Sequence, residues 1–158
     1  MIDISKNITM LEATYSSYAV AHSIKNEPPV NVIANMQHLA QTIFEPLRAH
    51  FGVPIKINSF FRSPALNRAI GGAVLSQHLF GHALDLDATG SITNKQLFDY
   101  IIRNLPFDQL IWEGGDDKNP EWIHVSLTKG NNRQQLLRSH RNSSGKMMYE
   151  NISKFYKS

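Results

Sequence analysis

From Val32 onward the apolar residues Ile33, Met36, Leu39, Ala40, Ile43, Phe44 and Leu47 recur at intervals of three and four, which predicts a helix with one buried face. Pro46 should kink its last turn, because proline has no N–H and its ring crowds the carbonyl four residues back, and Gly52 should end it. After Pro54 the segment IKINSFF alternates and is β-branched, so it predicts a strand. Ser63 and Pro64 then supply an N-cap and a first helical position for a short helix through Ile70, stopped by Gly71 and Gly72. In HALDLDA the alternation places Ala83, Asp85 and Asp87 on one strand face and His82, Leu84 and Leu86 on the other. Thr93 caps NKQLFDYIIRN, a helix whose apolar stripe holds Leu97, Tyr100 and Ile101, and two further strands follow at 108–113 (DQLIWE) and 122–127 (WIHVSL) around the turn-rich GGDDKNP. Residues 1–29, closed by Pro28 and Pro29, predict a mostly irregular lead-in with one short helix. Strands and helices do not alternate strictly, so the expected class is α+β, with a largely antiparallel sheet flanked by helices.

The chain has 158 residues, 42% of them hydrophobic and 18% charged, enough to bury the core of one globular domain. It has no Cys, which excludes a disulfide scaffold and any thiolate-held metal. No apolar run approaches membrane-spanning length, so no membrane span is expected. MIDISKNITMLEATYSSYAV has no basic region followed by an unbroken apolar one, so a chain cytoplasmic as synthesised is expected. Residues 1–138 carry 12 Lys+Arg and 12 Asp+Glu, leaving Arg141, Lys146, Lys154 and Lys157 against Glu150 in the last twenty. The division expected from this is a single domain over 1–138 and a basic, solvated, partly frayed tail over 139–158. Such a tail can be drawn weakly to an anionic wall, but no nucleic-acid partner is expected, and a monomer is.

His78, Asp85, Glu121 and His124 fall on predicted strands or their edges. With no Cys, two His and one carboxylate meet the need of a catalytic zinc for three nitrogen or oxygen ligands and an open fourth position. His78 and His82 are four apart, like the His pair of a helical HExxH, but Leu79 stands where the base should be, Gly81 interrupts, and a strand follows. His82 is therefore read as a surface residue or as support behind a ligand. Glu121 and His124, three apart, would face opposite ways on a regular strand, but Glu121 follows Pro120, so a turn there could aim it at a metal-held water. Asp87 could hold a ligand His or make a structural hydrogen bond; Gln109 and Glu113 could line a cleft from the neighbouring strand; Trp112 and Trp122 read as core or cleft wall. Asn67 is assigned to the turn after Arg62, and nothing recommends His22, His38, His50 or His140 as ligands.

SQHLFGHALD followed by EWIH resembles the paired signature SxHxxGxAxD and ExxH of the zinc D-Ala-D-Ala carboxypeptidase and dipeptidase family, whose fold is shared with the hedgehog signalling domain. Ser76, His78, Gly81, Ala83, Asp85, Glu121 and His124 occupy every fixed position, and SFFRSPALNRAIGG and EPPVNVIANMQHLAQTIFEPLR extend the likeness over roughly residues 10–138. The resemblance is greatest to the stand-alone members of bacteria and their phages. It implies one zinc per chain on His78, Asp85 and His124, Glu121 as general base, and Arg62 as the electrophile that also contacts substrate. Ser76 would line the substrate site or orient a ligand, and Trp122 would wall it. The implied activity is hydrolysis of amide bonds in peptidoglycan stem peptides, as carboxypeptidase or as endopeptidase of the endolysin type, with lysis or a phage holin as the route to the wall. The alternative is a catalytically silent module that binds wall peptide around a structural zinc, which would not require Glu121 and Arg62.

Overall fold

The computed structural model describes residues 2–156. The lead-in holds two short helices where one was expected, α1 (Met10–Thr14), closed by a capping box of Thr9 with Glu12, and α2 (Ser17–Ala21), capped by Ser16. The predicted amphipathic helix begins as α3 (Val30–Leu39), widens into a π-helical stretch (Ala40–Phe44) and ends as α4 (Glu45–Phe51), with Gly52 in the left-handed conformation as its stop. The irregularity expected at Pro46 is met one turn earlier, where the ring would crowd the preceding carbonyls and the backbone adopts the wider turn instead.

β1 (Ile55–Ser59), α5 (Pro64–Ala69), a 3-10 turn (Gln77–Phe80), β2 (Ala83–Ala88), α6 (Asn94–Asn104), β3 (Gln109–Glu113) and β4 (Trp122–Ser126) follow the predicted order. β5 (Gln135–Arg141) and β6 (Met147–Asn151) complete a six-stranded sheet in the order β1-β2-β4-β3-β5-β6. Every neighbouring pair is antiparallel except β3 with β5, so the chain is α+β with a largely antiparallel sheet.

Strand alternation divides the sheet into a core face and an open face. Leu84 and Leu86 of β2, Ile123 and Val125 of β4, Leu110 and Trp112 of β3 and Leu136 of β5 belong to one hydrophobic core with Met36, Leu39, Ile43, Phe44 and Leu47 of the long helix and Leu97, Phe98 and Ile101 of α6. The opposite face presents Asp85, His124, Ile111, Glu113, Leu137 and Tyr149, and it forms the floor of a cleft. None of the helices is long and apolar enough to cross a membrane among the described residues.

The C-terminal segment differs from the solvated tail expected of it. The boundary at 138/139 falls inside β5, Ser139 is buried, and β6 pairs with β5 from Leu137↔Asn151 to Arg141↔Met147. Here Glu150 lies opposite Arg138 and Arg141 opposite Met147, so part of the charge that marked a tail sits on a paired sheet edge. Lys157 and Ser158 lie outside the described residues.

Asp108, at the entry to β3, ties this hairpin to the loop that carries His78. Its carboxylate accepts from the backbone N–H and guanidinium of Arg133 and from the side-chain amide of Gln77. The Arg133 hydrogen bonds, outweighing burial, hold the Asp108 pKa down at about 2. A folded-state value below the unfolded one stabilises the fold above about pH 4 and loses that contribution as the pH falls through about 2. Asp108→Asn is expected to flatten this part of the acid limb, measured by denaturant unfolding of both proteins between pH 5 and 2.

Candidate metal centre

Three elements bring the centre together. β2 and β4 pair so that Asp85 lies directly opposite His124, both on the open face. His78 comes from the 3-10 turn just before β2, and the turn is shaped by two residues. Ser76 caps it, its hydroxyl accepting from the His78 N–H at 3.3 Å. Gly81 closes it at φ +71°, a conformation that L side chains rarely adopt, and a Cβ there would stand 2.7 Å from Cγ of Met36. The turn therefore seats directly on α3.

His78 is 1% exposed. Its Nδ1 is 2.7 Å from the Phe60 carbonyl, so it donates there and leaves Nε2 as the free lone pair. Nε2 is 3.3 Å from Oδ2 of Asp85, whose Oδ1 is 3.0 Å from Nδ1 of His124. The imidazole rings stand 5.3 Å apart at 74°, with the carboxylate between them. Burial alone would raise the Asp85 pKa, but the neighbouring His78 and the hydrogen bond with His124 hold it well below the usual carboxylate range. Burial pushes the His78 pKa down, against the attraction of Asp85.

One potential ligand atom from each of His78, Asp85 and His124 lies within 4.8 Å of the others. Both Nε2 atoms are buried and lack a hydrogen-bond partner. Buried polar atoms are seldom left unpaired, and two imidazole nitrogens beside an ionised carboxylate suit a cation with nitrogen and oxygen ligands. The residues present thus fit a zinc ion.

Around the centre lies a cleft of about 720 Å³ lined by Arg62, Ser76, Glu113, Trp122, Arg133 and Tyr149 among others. Arg62 donates from Nη1 to Oδ1 of Asn67 at 3.0 Å, while its buried Nε has no partner. Burial lowers its pKa and the charge of Asp85 opposes this. Asn67 also donates to the Ala73 carbonyl, so it serves the turn as expected and holds Arg62 as well. Gly72 is what admits this arrangement, since a Cβ there would stand 2.0 Å from Oδ1 of Asn67.

Glu121 does not join the cleft. It is exposed, it precedes β4 with its side chain toward Gly114, and it is not among the residues lining the cleft. It lies in the bend just before β4, the turn position expected of it, and its backbone N–H bonds to the Glu113 carbonyl; the bend does not aim its side chain into the cleft. Besides Asp85, a carboxylate that does line the cleft is Glu113, 7% exposed, accepting from the Ser139 hydroxyl. Burial raises its pKa; the Ser139 hydrogen bond and His124 oppose that, and the charge of Asp85 reinforces it. Gln109 lines the cleft too. Trp112 lies in the core, edge-on to Phe98, and Asp87 accepts from Asn94 rather than from a ligand histidine. His82 is half-buried outside the cluster, and His22 and His50 stack on Tyr18 and Tyr100. Ser139 and Tyr149 were not foreseen as site residues, because the segment that carries them read as a tail.

The model of the Peptidase M15 family matches residues 6–126, well over half of the chain, so the chain belongs to that family. A comparison with curated proteins gives no match. The family is zinc-dependent, and the His–Asp–His cluster is where this chain could hold the ion.

A ligand that binds only the folded state stabilises it by about 2.7 kcal/mol at a hundredfold excess over its Kd. Zinc added to chelator-treated protein is expected to raise the melting temperature, and His124→Ala is expected to abolish that rise.

Proposed function

We propose that the protein is a zinc-dependent peptidase that hydrolyses amide bonds in the stem peptides of peptidoglycan. The observation that carries this reading is the cluster of His78, Asp85 and His124, with two partnerless buried nitrogens, opening into a cleft beside Arg62. Membership of the M15 family supports peptidase chemistry, and the resemblance of SQHLFGHALD and EWIH supports the wall-peptide substrate.

His78, Asp85 and His124 would hold the zinc, His78 through Nε2 because Nδ1 is committed to the Phe60 carbonyl. Bound there, the ion supplies Lewis acidity, lowering the pKa of a water from about 15.7 to about 7 and polarising a carbonyl. Ser76 contributes by fixing the turn that aims His78. Arg62 is suited to the charge that develops on the carbonyl oxygen, since Asn67 fixes one edge of its guanidinium and Nε lacks a partner. Trp122 and Tyr149 wall the cleft on either side of Glu113, from β4 and β6, and are placed to contact the peptide.

Incubation of zinc-loaded protein with purified peptidoglycan, followed by mass spectrometry, is expected to give new stem-peptide products that disappear on chelation and return with zinc. The mass lost identifies the bond, a terminal D-Ala for a carboxypeptidase or a larger fragment for an endopeptidase. Stoichiometric zinc with no product from any wall type would contradict the peptidase reading and favour the binding module.

A further inference from the structure

The family signature points to Glu121 as the base, yet that carboxylate lies outside the cleft. On the peptidase reading above, we infer that Glu113 is the proton acceptor and donor of the hydrolysis, held in place by Ser139 of the C-terminal hairpin.

The sheet register places it. Ile111 of β3 lies opposite His124, and Glu113 lies opposite Trp122, so Glu113 stands one step along the same open face from His124. Diagonal neighbours of this kind are about 7–8 Å apart at the backbone, a gap that a glutamate side chain and one water can span. Ser139 pairs with Glu113 across β3 and β5, and its hydroxyl donates to Oε2. The same Ser139 oxygen accepts the Gly114 N–H at 3.2 Å, which directs the hydroxyl proton onto Glu113. Oε1 has no donor among the described residues and is not sealed from solvent, so it is left open to the cleft. Glu121 has none of this: Trp122 and His124 of β4 line the cleft, whereas Glu121, in the bend before β4, does not and has its side chain toward Gly114. Ser139 lies beyond residues 6–126, the stretch that the family model matches, whereas Glu113 lies within it.

The step balances with water as the only co-reactant. Glu113 Oε1 takes a proton as an O–H bond of water breaks, and the electron pair left on that oxygen forms a C–O bond to the peptide carbonyl carbon. The carbonyl π pair moves onto its oxygen, beside Arg62. When that pair returns, the C–N bond breaks and the proton held by Glu113 passes to the leaving nitrogen. One carboxylic acid and one amine result from one amide and one water.

The test uses the full zinc-loaded chain, with purified peptidoglycan for turnover and a synthetic pentapeptide stem for equilibrium binding. Glu113→Gln keeps the shape and the Ser139 hydrogen bond, and it is expected to lower turnover about 10²- to 10⁴-fold while zinc stoichiometry and peptide affinity stay within about twofold. Glu121→Gln is expected to change turnover by less than about threefold. Ser139→Ala is expected to lower kcat with little change in KM, where a purely structural role would reduce the folded fraction and the bound zinc instead. Should Glu113→Gln fail to fold, Glu113→Asp, which retains the charge but withdraws it by one methylene, is expected to fold, bind zinc and lose turnover. A wild type that is active together with an equally active Glu113→Gln, or a zinc-replete Glu121→Gln that is dead, overturns the role of Glu113 alone. A wild type that binds zinc and releases no product overturns the peptidase reading, and this role with it.

Discussion

A residue on a β-strand faces one side of its sheet or the other, and the pairing of Asp85 with His124 settles that choice for the centre of this molecule. With Asp85 and His124 on the open face, Leu84, Leu86, Ile123 and Val125 must face the helices, and they form the middle of the core. A slip of one residue between β2 and β4 would bury the carboxylate among leucines and expose the leucines to water. Core and candidate metal centre thus depend on one register, and the hydrophobic burial that fixes it also brings a carboxylate between two imidazoles. Those charges would be costly to hold together without such enforcement.

The residues around this register act as supports. Gly81 lets the turn carrying His78 sit against α3, and Gly72 lets Asn67 reach Arg62; in both places a single methyl group would collide with its neighbours. Asp108 joins the same turn to the start of β5 through Gln77 and Arg133. The hairpin of β5 and β6 in turn provides Ser139, which holds Glu113, and Tyr149, which lines the cleft beside His78, Asp85 and His124.

Much of this was legible in the sequence where apolar periodicity and special residues agreed. HALDLDA alternates strictly, and its strand and its division into faces follow from that alone. The long helix was legible from its stripe, though its π-helical stretch was not, since that depends on how the backbone absorbs Pro46. That Glu121 lies outside the cleft was not legible, because the ExxH spacing gives a separation along the chain but not a direction. Its direction is set in the bend before β4, where its N–H bonds to the Glu113 carbonyl, and no local pattern announces that. β5 and β6 were not legible because an edge hairpin with one face toward a polar cleft needs few apolar residues; QLLRSHR and MMYEN bury little and carry charge, as exposed edges commonly do. Glu113 was legible in DQLIWE as a residue that could line a cleft with Gln109, since the two share one alternation; its place beside His124 was not, because that depends on the strand's partner.

Whether His78, Asp85 and His124 hold a metal ion decides what this cleft can do. The most direct measurement is the anomalous scattering of zinc-loaded crystals on either side of the zinc absorption edge. A single peak bounded by His78, Asp85 and His124, with ligand distances of about 2.0–2.2 Å, is the predicted result. Crystals of zinc-saturated protein that show no peak there, or a peak held by other residues, would contradict it.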